Sequence, residues 1–373
     1  MIPYLVTFLI SIFFIYVGES NKNNKIGGRI LVLLGLIFPC LLAAFRNVSI
    51  GTDTKGYVYN LYKFSSESNN LFAFFDKAYI YYSQKNYLYL LNTYIIGKNN
   101  LPFGLLLFIN EALVIFPIYF SFKILKFNRN KILIGMITFY FIFYNSTLNI
   151  VRQSIAIAFI VLSFSQYIKS ENIKKKILSY IYLFIAMEFH TTAIISIILL
   201  WGYKFYSSKK INEKTKQTVS ILCILFSVLI VIFYKQFLTF LAKSGIFTLA
   251  TLYLRRYLAY DFSFYQFVIN IIIFFMITFN KNYFIKNECN YNYLILLSII
   301  NLNISSGLGY FIMFSQRIMY YTQYILLFCF ISHVKIDTEN KKMIYDIYIF
   351  LLLISWILYI GIKNTHETVP YII

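Results

Sequence analysis

Arg46, Asp53, Arg152, His190, Arg255, Arg256 and Arg317 stand out in a chain where only 13% of residues are charged. Guanidinium groups are planar forks that bind phosphate oxygens in pairs and stabilise negative charge as it develops on a leaving group. Several of them, with one aspartate and one histidine at hand, suit an anionic, lipid-linked substrate with diphosphate as the leaving group. Membrane transferases that use a metal carry paired carboxylates to hold it; the polar stretch after Arg46 has only the isolated Asp53, Glu67 and Asp76. A metal-free site without cofactor is therefore expected.

Each residue also has a plainer reading. Arg46, in FRNVSIGTDTKGYVYN, ends an apolar run where an arginine can snorkel to water. Gly51 permits a tight turn behind it, and Asp53 can cap the backbone there. Arg152, in NIVRQSIAIAF, sits at the positive end of a helix that Asn149 or Ser146 can cap, so its charge opposes the local field and calls for an anion nearby. Gln153 lies one step around the same helix. His190, in MEFHTTA, serves equally as a polar hairpin tip, and Thr191 or Thr192 can cap the next helix. Arg255 and Arg256 can pair with Asp261 or bind lipid phosphates, whereas Arg317 lies inside an apolar helix and needs a cavity to reach water. Glu111 is read as a structural acid within the bundle. The tyrosines from Tyr57 to Tyr94 form an interfacial aromatic belt, some of them able to stack on sugars.

The elements that must position these residues are membrane helices. With 60% apolar residues, the chain repeats apolar runs of bilayer length with charges confined between them. Spans are expected near 2–18, 27–45, 101–122, 132–148, 151–168, 174–189, 191–206, 219–235, 263–280, 291–308, 312–331 and 344–362. The short loops 19–29, 123–131, 169–176, 204–216, 281–290 and 333–342 hold 21 of the 34 lysines and arginines and are every second connection. By the positive-inside rule they are cytoplasmic, and both termini are extracytoplasmic. The expected fold is all-α: a polytopic integral membrane bundle of about 12 transmembrane helices, forming a single domain over residues 1–373. Its outer loops 46–100 and 236–262 carry the extracytoplasmic site. Within the first, SQKNYLYLLNTYII can lie as an amphipathic helix at the interface.

The net charge of +20 would suggest nucleic acid in a soluble protein, but its place in short loops assigns it to orientation and to membrane lipids, with no nucleic acid among the partners. The N-terminal run has neither a basic start nor a small-residue cleavage site and is read as a retained span. Cys40, Cys223, Cys289 and Cys329 form no CxxC pair, and neither disulfide nor metal site is expected.

The ordered set R-x-x-x-x-G-T-D-x-x-x-Y from Arg46, N-x-x-R-Q-x-x-A at Arg152, F-H-x-T-A at His190, Q-R-x-x-Y-Y at Arg317 and a closing P-Y resembles the EpsG-like branch of the Wzy-type O-antigen and exopolysaccharide polymerases. The resemblance implies a multi-pass protein of the bacterial inner membrane. Such a glycosyltransferase joins undecaprenyl-diphosphate-linked oligosaccharides on the outer face and works beside a flippase and a chain-length regulator. It also implies diphosphate binding by Arg46, Arg152 and Arg317; Arg255 and Arg256 in the second long loop are candidate diphosphate ligands by their residue type and place, not by the resemblance. A general base at His190 or Asp53 is implied as well, while Tyr57 and Gln153 are read from their residue types and positions as glycan contacts. The familiar pattern places its large outer loop late, whereas here the larger one comes early.

Two rivals share much of this chemistry. A lipid-linked oligosaccharide flippase would carry its cations between two repeat-related halves, which the chain does not show. An O-antigen ligase would use the same donor with lipid A core as acceptor. A non-enzymatic membrane scaffold is a third reading.

Overall fold

The computed structural model describes residues 1–21, 24–83, 85–169, 172–243, 264–279, 281, 290–306, 312–333 and 339–373. Regular structure among them is helical throughout. The order is α1 (Ile2–Ser20), α2 (Lys25–Ala44), a π-helical turn (Thr54–Val58), α3 (Tyr59–Glu67), α4 (Leu71–Tyr82), α5 (Tyr87–Lys98), α6 (Phe103–Ile124), α7 (Arg129–Ile142) and α8 (Tyr144–Asn149). It continues with α9 (Val151–Ile168), α10 (Ile173–Phe189), a 3-10 turn (Thr191–Ile194), α11 (Ile195–Ser207), α12 (Glu213–Lys243), α13 (Phe264–Phe279), α14 (Tyr291–Ser306), α15 (Ile312–His333), α16 (Glu339–Trp356) and a closing π-helical turn (Ile357–Ile362).

Every expected span overlaps helix. Five stretches among the described residues are long and apolar enough to cross a membrane: Ile2–Ser20, Lys25–Ala44, Phe103–Ile124, Val151–Ile168 and Glu213–Phe233. Asparagine sets several helix starts: the Oδ1 of Asn24, Asn70, Asn128, Asn172 and Asn212 accepts from the amide three residues on, satisfying a donor the helix itself cannot pair. The expected outer loop 46–100 is largely helical, with α5 lying over the SQKNYLYLLNTYII stretch. The expected outer loop 236–262 begins later than the sequence suggests, because α12 runs on to Lys243.

The chain divides into two compact units, Met1–Ile194 with Val334–Ile373, and Ile195–His333. In the first, α1 and α2 pack backbone to backbone: a Cβ on Gly18 would lie 2.6 Å from the Gly28 carbonyl oxygen, and one on Gly35 would lie 2.8 Å from that of Ser11. An aromatic cluster binds α1 to α7, α8 and α16. Phe8 stacks on Tyr140 at 4.9 Å, meets Tyr144 edge-on at 5.1 Å and lies 6.0 Å from Trp356, whose Nε1 donates to Asn145 Oδ1 at 2.8 Å. The most enclosed span is α9, 78% buried, packed against α6 and α10.

The ends of this unit differ in chemistry. At one end the basic loops meet: Lys123 Nζ lies 2.9 Å from Glu19 Oε1, Arg129 NH1 donates to Ser20 Oγ at 2.8 Å, and Tyr119 donates to Glu19. At the other, the C-terminal tail returns to the start of α1, with Tyr4 donating to the Thr368 carbonyl at 2.7 Å. It also reaches the end of α2, where Tyr371 donates to the Leu42 carbonyl at 2.7 Å. Both termini thus share an end with Arg46.

In the second unit α14 is central, packed against α11, α12, α13 and α15. Asn270 and Gln323 bond at 2.9 Å and Thr322 donates to Asn301 at 2.7 Å, giving this unit a buried amide network.

Candidate functional site

The turn between α2 and α3 is built by Gly51, whose φ of +83° is one that a side chain rarely tolerates. A Cβ here would also lie 2.3 Å from the Leu148 carbonyl oxygen. The turn is thereby pressed against the end of α8. Asn149 Oδ1 accepts from the Thr52 amide at 2.9 Å and from the Thr52 hydroxyl. The sequence suggests Asn149 or Ser146 as the cap of α9. In the structure Asn149 holds the turn, Ser146 donates to the Phe143 carbonyl, and α9 has no side-chain cap bond.

This clamp places Asp53 and Tyr57 beside the first turn of α9. Tyr57 donates to Asp53 Oδ2 at 2.8 Å and accepts from Arg152 Nε at 2.9 Å. Arg152 NH1 donates to Asn86 Oδ1 at 2.9 Å, and its guanidinium lies over the Tyr57 ring at 4.6 Å and the Tyr89 ring at 5.8 Å. The sequence allows Asp53 a backbone-capping role; in the structure it starts the π-helical turn without a side-chain cap bond and accepts a hydrogen bond from the Tyr57 hydroxyl instead. Burial pushes the Tyr57 hydroxyl well above the ordinary phenol range, against the pull of Arg152, so it remains a donor.

Arg46 does not snorkel. It is 6% exposed, one terminal nitrogen donates to Thr54 at 3.0 Å, and its Nε and NH1 have no hydrogen-bond partner. Glu111 is the acid that acts on it electrostatically, and that carboxylate is itself held by Thr147 at 2.8 and 3.0 Å. A desolvated cation with two unfilled donor nitrogens is costly unless an anion or water completes it.

Further polar groups are buried at the start of α5. Asn86 Nδ2 has no hydrogen-bond partner, and the Tyr89 hydroxyl is buried beside Thr93, whose own hydroxyl donates to the Tyr89 carbonyl at 3.0 Å. Tyr89 feels the charges of Arg152, Asp53 and Arg46. Sequence reasoning misses Asn86 and reads Tyr89 only as part of the aromatic belt: Asn86, Tyr89 and Thr93 keep helical spacing, but they are hidden in a tyrosine-rich run.

The structure thus brings together Asp53, Tyr57 and Arg152, with Arg46 on the same turn. Gln153 is buried next to Arg152. His190 succeeds α10 in extended conformation, its Nδ1 2.6 Å from Thr192 Oγ1. Arg317 lies half-buried on α15 of the second unit. Arg255 and Arg256 lie outside the described residues, as does Cys289.

The arrangement offers fixed cations and neutral donors around a partly buried turn, a set suited to an anion with a hydroxyl-rich attachment. Searches among curated proteins and among solved structures return no match. The EpsG family model matches residues 29–373, which covers the turn, α9, His190 and the tail. The chain belongs to the EpsG family, a family of polymerase-like membrane proteins of polysaccharide biosynthesis.

Proposed function

We propose that this protein joins oligosaccharide units carried on undecaprenyl diphosphate, at the outer face of the bacterial inner membrane. A hydroxyl oxygen of the incoming unit attacks the anomeric carbon of the growing chain. The bond from that carbon to the phosphate oxygen breaks, and diphosphate leaves with the electron pair. The proton of the attacking hydroxyl passes to a base.

The observation that carries this reading is Arg46: a buried guanidinium with two unpartnered nitrogens on the turn that holds Asp53 and Tyr57 against Arg152. Arg46 and Arg152 would grip the diphosphate and stabilise it as it leaves. Asp53 is the base of first choice, being tied to Tyr57 within the cluster, and His190 is the alternative. Diphosphate ligation by Arg317, Arg255 and Arg256 and a glycan contact by Gln153 are proposed on the sequence alone. Tyr57 would face the glycan with the edge of its ring, and Asn86 and Tyr89 would add hydroxyl-directed donors. Chemistry without a metal is supported by the isolation of Asp53, Glu67 and Asp76 in the first outer loop.

The test is polymerisation by the purified protein in detergent, given a lipid-diphosphate-linked repeat unit and scored by ladder length. Arg46→Ala and Arg152→Ala should each leave the unit unextended at normal protein level. A full ladder from either variant removes that arginine from the mechanism. In the cell, gene deletion separates the ligase reading: loss of a polymerase leaves a single unit on lipid A core, and loss of a ligase leaves none.

A further inference from the structure

Pro370-Tyr371 belongs to a segment that reaches back to the candidate site. Its backbone bonds directly to the turn carrying Arg46 and Asp53: the Asn47 amide donates to the Ile372 carbonyl at 2.8 Å, and the Gly51 amide to the Glu367 carbonyl at 3.1 Å. Tyr371 fastens the end of α2 through the Leu42 carbonyl at 2.7 Å, packs edge-on against Tyr4 at 5.4 Å and acts electrostatically on Arg46.

The tail is itself anchored on both sides. Thr368, fully buried, accepts from Tyr4 through its carbonyl at 2.7 Å and from Asn145 Nδ2 through its hydroxyl at 2.9 Å. Asn364 Oδ1 shapes the bend by accepting from the Thr368 and Val369 amides, each at 2.9 Å. The Tyr4 and Tyr371 bonds join residues 364 and 329 positions apart in sequence, and the bonds of Tyr371, Ile372 and Glu367 all fall on the short stretch from Leu42 to Gly51.

We infer that residues 364–373 form a strap that holds the Arg46–Asp53 turn in its ligand-binding position, with Thr368 and Tyr371 as positioning residues. The inference rests on the reading of Arg46 and Arg152 as diphosphate ligands. The turn has two fastenings: Asn149 from the α8–α9 side and the tail from the other. With the tail gone, Gly51 and Asn47 lose their backbone partners, and Arg46 is no longer fixed relative to Arg152.

Two readouts on the solubilised protein test it: hydrogen exchange over residues 45–56, and the Kd for undecaprenyl diphosphate. In a chain ending at Lys363, exchange at Asn47 and Gly51 should quicken at least tenfold and Kd should rise at least tenfold; a synthetic peptide of residues 364–373 should reverse both. Unchanged exchange or unchanged Kd overturns the inference. If that chain does not accumulate, T368V and Y371F decide. Faster exchange confined to 45–56, with α5 as in the parent, supports the strap, and equal acceleration throughout the first unit sinks it. Should the parent itself fail to bind undecaprenyl diphosphate, the ligand reading fails, and the exchange pattern alone then upholds or overturns the strap.

Discussion

The Tyr57 hydroxyl accepts from Arg152 Nε at 2.9 Å, joining residues 95 positions apart, and the same oxygen donates to Asp53 at 2.8 Å. A cation and an acid are thus both held on one phenol. Arg152 uses Nε for Tyr57 and a terminal nitrogen for Asn86, so its orientation depends on a fork rather than on charge alone.

Arg152→Lys should therefore behave almost as poorly as Arg152→Ala. A single ammonium cannot span Tyr57 and Asn86 while reaching a phosphate. Ladder synthesis should fall by about 100-fold or more, a range typical of a lost charge-stabilising group. Near-normal synthesis by the lysine variant would mean that only the charge matters.

Arg46→Met should separate stability from function. Removing the buried guanidinium relieves its desolvation but leaves the buried Glu111 without the cation that acts on it, and taking away one member of a buried charge pair destabilises. The ligand-free variant should still fold but melt below the parent, while the rise in Tm that undecaprenyl diphosphate gives the parent should vanish. A variant that melts at or above the parent would show that Glu111 does not need this cation, and one that still responds to the lipid would remove Arg46 from the ligand set.

Asp53→Asn and His190→Ala distinguish the two candidate bases. The asparagine keeps an oxygen for Tyr57 but cannot take a proton, so turnover should drop by about 100-fold with substrate affinity little changed. His190→Ala should cost under about tenfold if Asp53 is the base. The reverse order assigns the proton to His190.

The Tyr57 phenol gives a pH signature. Burial raises its folded pKa above the unfolded value of about 10, so its contribution to stability is complete below that pH. It is lost only as pH climbs through the raised value. The Tm difference between the parent and Tyr57→Phe should stay constant from about pH 6 to 9, below the phenol's ordinary range; a difference that shrinks across this window would place the phenol's titration there.

Gly51→Ala should destabilise the protein by about 1–3 kcal/mol through strained backbone alone, with the clash against the Leu148 carbonyl adding to it. Thermal unfolding of the purified variant measures this. An unchanged Tm would show that the turn can leave α8 without cost.

The helices are legible in the sequence because apolar runs and the charges between them are local properties of the chain. Partnerships are legible only where they are local too. Asp53 and Tyr57 are four residues apart and share a helical face, yet a capping role for Asp53 satisfies the same pattern. Arg46 reads as a snorkelling end of a span, because nothing in its neighbourhood reveals that Thr54 and the tail will enclose it. Asn149 sits where a cap should be, and only the fold shows Thr52 arriving to claim its oxygen. Asn86 meets Arg152 across 66 positions, a pairing that no spacing rule reaches.

Asn149 on one flank and Glu367 on the other fix the number of residues that fit between Arg46 and Tyr57. One residue more or fewer would rotate Asp53 away from the phenol and lift Thr52 off its acceptor. Homologous chains that share this clamp should therefore keep that interval free of gaps, and differences in length should gather farther along the stretch between α2 and α6, around the α3–α4 junction.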